Sequence, residues 1–283
     1  MAINDDFILR NIENFEIVSV STNKVYRFQH ENDTYILKIN NISSDNLSPF
    51  WRGMKEVFAS DFDTQRENIE ETLSMLSNPH IQAAQLITKS HKSRFQIFKQ
   101  VEGFSYEPDE FPSSNDIEYQ LGQFIGYIHS TQYEYFGHQK LHFRSAFKEK
   151  MFNAMSETMK RHWSDSHEVK VLFEKIRCLN VAPDSYSLIM PDISANQFIF
   201  DKNLTSIRAV VDFDAYVIGP REWELSVLEL CLQNGRAFKK GYEEYNLFPD
   251  ISKSRDFYRF FMYLCDLWNK QDLTAFMNQN ILF

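Results

Sequence analysis

Two early runs, NFEIVSVSTNKVYRFQH and DTYILKINNI, alternate apolar with polar residues or carry β-branched and aromatic ones. This predicts two strand segments, and HEND between them has the composition of a hairpin turn. The period changes at SDFDTQRENIEETLSMLS, where Ile69, Leu73 and Leu76 form a helical stripe behind the capping candidates Ser60, Asp61 and Asp63. NPH ends that helix. AAQLITKS and SRFQIFKQVEG then predict a second hairpin that closes at Glu102-Gly103. The stretch FSYEPDEFPSSND reads as a linker. Beyond it, DIEYQLGQFIGYIHST places Leu121, Phe124, Ile125 and Ile128 at helical spacing, and FRSAFKEKMFNAMSETMKRHW and HEVKVLFEKIRCLN continue in helical style. A strand-like pair follows, MPDISANQFIF and VDFDAYVIGPREWEL. Helical patterns then run through EWELSVLELCLQNG, KKGYEEYN and SRDFYRFFMYLCDLWNK. No internal repeat, low-complexity tract or heptad pattern is present.

This order predicts an α+β chain in two lobes. Residues 1–103 form a small antiparallel sheet with one helix, and residues 104–283 form a larger, mainly helical part holding the second β-pair. Clefts between such lobes are where ligands bind. Composition refines the picture only modestly. The 26 Phe and 13 Tyr are spread along the 283 residues and are read as core filling. A net charge of −9 argues against a nucleic-acid partner and permits a cationic small-molecule substrate. Cys178, Cys231 and Cys265 stand far apart without a CxxC, which fits a reducing, cytoplasmic compartment. The first residues lack a signal pattern, and no apolar run is long enough to span a bilayer, so no membrane partner is expected. The pattern leaves the oligomeric state unknown.

The conspicuous chemistry lies in the second β-pair. Asp192, Asp212 and Asp214 interrupt apolar, strand-like sequence, which costs several kcal/mol unless a partner or metal waits there. With the amide of Gln197, the two acids Asp192 and Asp212 at strand ends make a hard-oxygen set suited to Mg²⁺, which takes part of its shell from phosphate. The competing reading is a pair of turn or helix caps. Lys38, in YILKI, is either an edge lysine or the partner of a glutamate on the following helix, where Glu67, Glu70 and Glu71 stand. Between the first two strands, Ser21, Thr22 and Asn23 form a small polar turn whose N–H groups suit phosphate, although it has no glycine. His138 and His142 are four apart, but Gly137 and the missing acidic third ligand argue against a metal pair. His162 and His167 flank a solvated loop, and His129 reads as a helix C-terminal dipole partner. The aromatic run FYRFFMYLCDLW reads as core; a Tyr or Trp face from it would suit a cationic or sugar-like acceptor.

The series STNKVYRF, YILKI, VEG, LGQFIGYIH, PDISANQFIF and VVDFDAYVIGPREWEL resembles the aminoglycoside phosphotransferase family, small-molecule kinases with a protein-kinase-like fold. The resemblance spans most of the chain. It implies an enzyme that uses ATP, or another nucleoside triphosphate, and Mg²⁺ to phosphorylate a hydroxyl. Asp192 would orient the hydroxyl and accept its proton, while Gln197, where the family has Asn, and Asp212 would hold the metal. Lys38 would touch the α- and β-phosphates, paired with Glu70. Ser21 to Asn23 would cover the phosphates, and Phe98, Lys99, Gln100 and Val101 would form the hinge against adenine. Trp223-Glu224 occupies the family's structural Trp-Asp position. Met190-Pro191 replaces the usual His-Gly, and Pro fixes φ and removes an N–H. Together with Gln197 and the glycine-free loop, this opens an alternative: a pseudokinase acting as a nucleotide-binding or interaction module. The acceptor is open among aminoglycosides, other amino-sugars, choline-like alcohols, homoserine-like amino acids and nucleosides.

Overall fold

The computed structural model describes residues 3–41, 47–183, 185–269 and 272–283. A short helix, α1 (Asp5–Asn11), precedes three strands, β1 (Glu16–Val20), β2 (Asn23–His30) and β3 (Asp33–Asn40). The predicted HEND turn joins β2 to β3, with Glu31 at φ 56° and His30 paired with Asp33. Two helices follow, α2 (Pro49–Phe58) and α3 (Phe62–Met75), then β4 (Gln82–Ala83), β5 (Leu86–Ser90) and β6 (Phe95–Lys99). Five strands form one antiparallel sheet in the order β1-β2-β3-β6-β5. Alternation along β3 decides the side each residue takes. Leu37 faces an apolar cluster with Phe28, Phe95, Ile97 and Ile8 of α1, and Lys38 faces the other way.

Where the sequence pattern gave this region one helix, the described residues form three. In α2, Ser48 caps the Trp51 N–H and Pro49 occupies the first turn, where a missing N–H costs nothing. Gly53 and Pro49 disguised the helical spacing of Trp51, Met54, Val57 and Phe58, all buried. For α3, the expected Asp61 is the cap: it accepts from the Thr64 N–H, and Thr64 Oγ1 accepts from the Asp61 N–H. The buried stripe of α3 is Phe62, Gln65, Arg66, Ile69 and Thr72.

The remaining chain is mainly helical. It comprises α4 (Asn115–His129), β7 (Phe136–His138), β8 (Leu141–Phe143), α5 (Phe147–His162) and α6 (His167–Arg177). Next come β9 (Ser187–Ile189), β10 (Phe198–Phe200), β11 (Ile207–Val210) and β12 (Val217–Gly219), then α7 (Arg221–Cys231), α8 (Gly235–Tyr242), α9 (Arg255–Leu264) and α10 (Leu273–Asn278). The two acidic segments contribute strands to two sheets. β10 pairs with β11, whereas β9 pairs with β12 in a separate sheet ordered β8-β7-β12-β9. The chain leaves β9 through Met190-Pro191 and turns through a 3₁₀ segment at Ala195–Gln197 before pairing again. β4 adds to β11 in parallel, so the N-terminal region is stitched to the second β-pair.

The aromatic run of α9 is core, as expected: Phe257, Tyr258, Phe260 and Phe261 are fully buried. Helices α4 and α8 meet at backbone contact. A Cβ on Gly122 would stand 2.0 Å from the Phe238 carbonyl oxygen, and one on Gly241 would stand 2.1 Å from that of Tyr119. Gly122→Ala is therefore expected to lower stability by about 2–3 kcal/mol, because the helices must separate to admit a methyl group. Urea unfolding of the variant measures it, and an unchanged midpoint would show that the pair yields freely.

Candidate active site

Asp192 and Asp212 leave β9 and β11 and border one cavity of about 300 Å³, together with Gln197, Asp214, Asp266 and Trp268. An adjoining cavity of about 440 Å³ shares Thr22 and Asp212 with it. Lys38, the turn residues Ser21, Thr22 and Asn23, and the segment Phe98, Lys99, Gln100 and Val101 all border this larger space, beside the apolar side chains Val18, Val25 and Ile36. The fold thus gathers eleven of the twelve predicted site residues around two adjoining spaces, Glu70 being the exception. Glu70 does not reach Lys38. It is exposed on the outer side of α3 and bonds Lys89 at 2.9 Å. Glu67, Glu70 and Glu71 lie within about 100° of one another around the helix, and all three are exposed.

Lys38 instead meets the acids of the second β-pair. Its Nζ lies 2.9 Å from Asp212 Oδ1 and 3.9 Å from Asp214 Oδ2. Burial acts to lower the ammonium's pKa, but the two carboxylates outweigh it and leave the net shift upward. For Asp212, burial acts upward, and the charge and hydrogen bond of Lys38 bring the carboxyl below its usual range. Asp192 has no such cation: burial, then the charge of Asp212, raise it to about 7. Asp214 is raised to about 6, again chiefly by burial, with Lys38 opposing. Carboxyls pushed up by burial and by each other mark a place that favours a cation.

The loop after β9 is held despite its proline. Glu224 Oε1 accepts the Met190 N–H at 2.8 Å, and Trp223 Nε1 donates to the Pro191 carbonyl at 3.1 Å. His129 is wholly buried with Nε2 2.8 Å from Glu224 Oε2, so it braces this clamp rather than answering the dipole of its own helix. Gln197 Oε1 accepts the Ser194 N–H at 2.8 Å, while its Nε2 donates to the Asp192 carbonyl at 3.2 Å. Sequence reading missed Asn23 as a side-chain partner of Asp214, and missed Asp266 altogether. The first was discoverable from the Asp-Phe-Asp repeat; the second sits in an aromatic run whose turn only the fold exposes. His138 Nδ1 lies 3.2 Å from Asn68 Nδ2, and His142 Nε2 lies 2.9 Å from the Gln139 carbonyl.

A sequence pattern described as the phosphotransferase enzyme family matches residues 16–260. The chain belongs to the phosphotransferase enzyme family. No curated protein sequence matches it. Solved structures share the fold. The macrolide 2'-phosphotransferase MphH from Brachybacterium faecium is 12% identical with a TM-score of 0.58, covering 97% of this chain and 98% of that one. Choline kinase LicA from Streptococcus pneumoniae is 14% identical with a TM-score of 0.56, over 96% and 93% of the two chains. Spectinomycin phosphotransferase APH(9)-Ia, in complex with ADP and its antibiotic, is also 14% identical with a TM-score of 0.56, over 98% and 93%. At such identities the likeness concerns the fold. Within the described residues of this phosphotransferase, no helix is long and apolar enough to cross a membrane.

Proposed function

We propose that this phosphotransferase moves the γ-phosphate of ATP, with Mg²⁺, to a hydroxyl of a small molecule. The observation that carries the reading is the meeting of the two cavities at Asp212, with Lys38 on one side and Asp192 on the other. The larger space, bordered by apolar residues and by Phe98 to Val101, takes the nucleotide. Ser21, Thr22 and Asn23 cover its phosphates, and Lys38 aligns them. In the smaller space Asp192 accepts the acceptor's O–H proton as the oxygen bonds to the γ-phosphorus and the β–γ bridging oxygen leaves with ADP. Little else is needed from protein groups, because phosphoryl transfer depends on positioning and charge neutralisation.

The donor set suits Mg²⁺: Asp212 and the second lone pair of Gln197 Oε1 supply hard oxygens beside acids that burial has left short of positive charge. No three His, Cys, Asp or Glu side chains among the described residues form a closed metal site, so phosphate and water must complete the shell. When bound, the ion neutralises the phosphates' negative charge. Gln197→Ala is expected to raise the Mg²⁺ concentration for half-maximal turnover about 10-fold or more. A magnesium titration decides it; an unchanged requirement removes Gln197 from the metal's shell.

The acceptor cavity carries four carboxylates, of which Asp212 and Asp214 meet Lys38 from the adjoining space while Asp192 and Asp266 do not, and no basic side chain among the described residues lines it directly. Among the described residues no hydrogen-bond donor reaches the buried Asp266 Oδ1, at the turn into Trp268. This composition supports an acceptor that bears an ammonium group as well as a hydroxyl, with the Trp268 and Trp51 rings as further cation surfaces. The decisive experiment follows ADP release across a library of hydroxylated amines and their neutral and acidic analogues. Turnover confined to cationic alcohols is the expected result. Nucleotide binding without turnover on any compound would favour the module reading instead.

A further inference from the structure

We propose that Asp214, held in place by Asn23, is the standing counter-ion of Lys38, in the position that a glutamate of α3 was expected to fill. The distances define the arrangement. Asp214 Oδ2 lies 3.9 Å from Lys38 Nζ and accepts from Asn23 Nδ2 at 2.8 Å. Asn23 begins β2, directly after the polar turn, so one carboxylate joins the lysine to the segment assigned to the phosphates.

Helix α3 cannot supply that carboxylate as it stands. The α3 side chain that borders the small space beside Lys38 is Arg66, along with Phe62, and Arg94 and Gln96 enclose it from the sheet side. Arg66 is 7% exposed, bonds Asp63 at 2.7 Å and has no partner for its Nε. A cation therefore faces Lys38 where an anion was expected. Bringing Glu67 to where Arg66 stands means rotating the helix by about 100°, and bringing Glu70 there, one turn further on, means rotating it by about 40° and sliding it by about 6 Å, since each residue advances the helix by about 100° and 1.5 Å. Such a rotation would expose Ile69 and Phe62 and break the Asp61–Thr64 capping box.

A standing counter-ion matters because Asp212 has two claims on it. It bonds Lys38, and the metal reading asks it to serve a second cation. Asp214, two residues further along, keeps Lys38 neutralised and aimed while Asp212 is shared. Coupling thus runs between the polar turn and the second β-pair, and bypasses α3.

The inference rests on the nucleotide reading for its consequence but not for its geometry, so the test has two arms. In the nucleotide-free protein, double-mutant cycles by urea unfolding compare Lys38→Met with Asp214→Asn and with Glu67→Gln and Glu70→Gln. The expected result is non-additivity with Asp214 and additivity with both glutamates. Additivity with Asp214, or coupling to either glutamate, overturns the proposal whether or not the protein binds ATP. In the second arm, calorimetry with MgATP and steady-state kinetics follow the same variants. Asp214→Asn is expected to weaken MgATP binding at least tenfold, Asp214→Glu to recover most of it, and Asn23→Ala to raise the KM for ATP with little change in kcat. Glu67→Gln and Glu70→Gln should stay within twofold; a tenfold loss in either also overturns the proposal. A wild-type protein that binds no nucleotide refutes the kinase reading alone, and the first arm still decides the counter-ion.

Discussion

Asp192→Asn should abolish phosphoryl transfer, by about 10³-fold or more, while leaving nucleotide affinity within a few-fold and making the unliganded protein more stable at pH 8. The three effects have one origin. In the proposed reaction the carboxylate takes the acceptor's proton, and an amide cannot do so. On the proposed reading, nucleotide occupies the neighbouring cavity, which Asp192 does not line. Stability follows from the shift of Asp192 from 3.8 to about 7. The folded protein holds a proton there that the unfolded chain has released. The stabilisation this brings is complete below about pH 4 and disappears as pH rises through 7. The amide imitates the protonated acid, so the variant should melt several degrees above wild type at pH 8, and the difference should close toward pH 4. Melting curves in a chelator across that range test the second half, and ADP release tests the first. A variant that turns over normally would remove Asp192 from the chemistry; one less stable at every pH would mark it as structural.

Glu229→Ala is expected to cost about 3–5 kcal/mol of folding stability, the range for removing one partner of a buried ion network. Glu229 is fully buried on α7. One oxygen accepts from Arg255 Nε at 2.6 Å and Arg259 Nη2 at 2.8 Å, and the other accepts the N–H groups of Leu282 and Phe283. Alanine would strand two buried guanidinium groups and release the final residues of the chain. The affected helix, α9, leads directly into Cys265 to Asn269, a wall of the cavity assigned above to the acceptor. The loss should therefore appear in acceptor KM before nucleotide affinity. A triple replacement, Glu229→Met with Arg255→Leu and Arg259→Leu, should recover much of the stability, since it removes charge and counter-charge together. Urea midpoints of the two variants check both statements. An alanine variant as stable as wild type would mean that water reaches the arginines.

These two cases differ in how far they could be read from the chain. Asp192, Asp212 and Asp214 announced themselves because acids inside apolar strand pattern are costly, and the order of Lys38, Asp192 and Asp212 carried the family resemblance. Glu229 offered no such warning. Its partners lie 26 and 30 residues away on another helix, inside a run whose aromatic content read simply as core. Glu70 failed for a related reason. Helical spacing identified the stripe around Ile69, but neighbouring glutamates on its border differ by only about 100° in direction, and the pattern does not say which faces Lys38. The clamp of His129 and Glu224 on the Met190-Pro191 loop was equally hidden, because its members come from two helices far along the chain from that loop.

By itself the sequence determined the periods of the elements, the antiparallel start and helical remainder, and the residue types able to hold phosphate, metal and a proton. Those follow from local backbone preferences and from the cost of placing charge in apolar strands, both of which act over a few residues. Tertiary structure alone decided the partners: Asp212 and Asp214 for Lys38, Glu224 for the proline loop, Glu229 for two arginines. Pairing across tens of residues depends on which faces the packed helices and sheets turn toward one another, and that is settled by the sum of the core contacts.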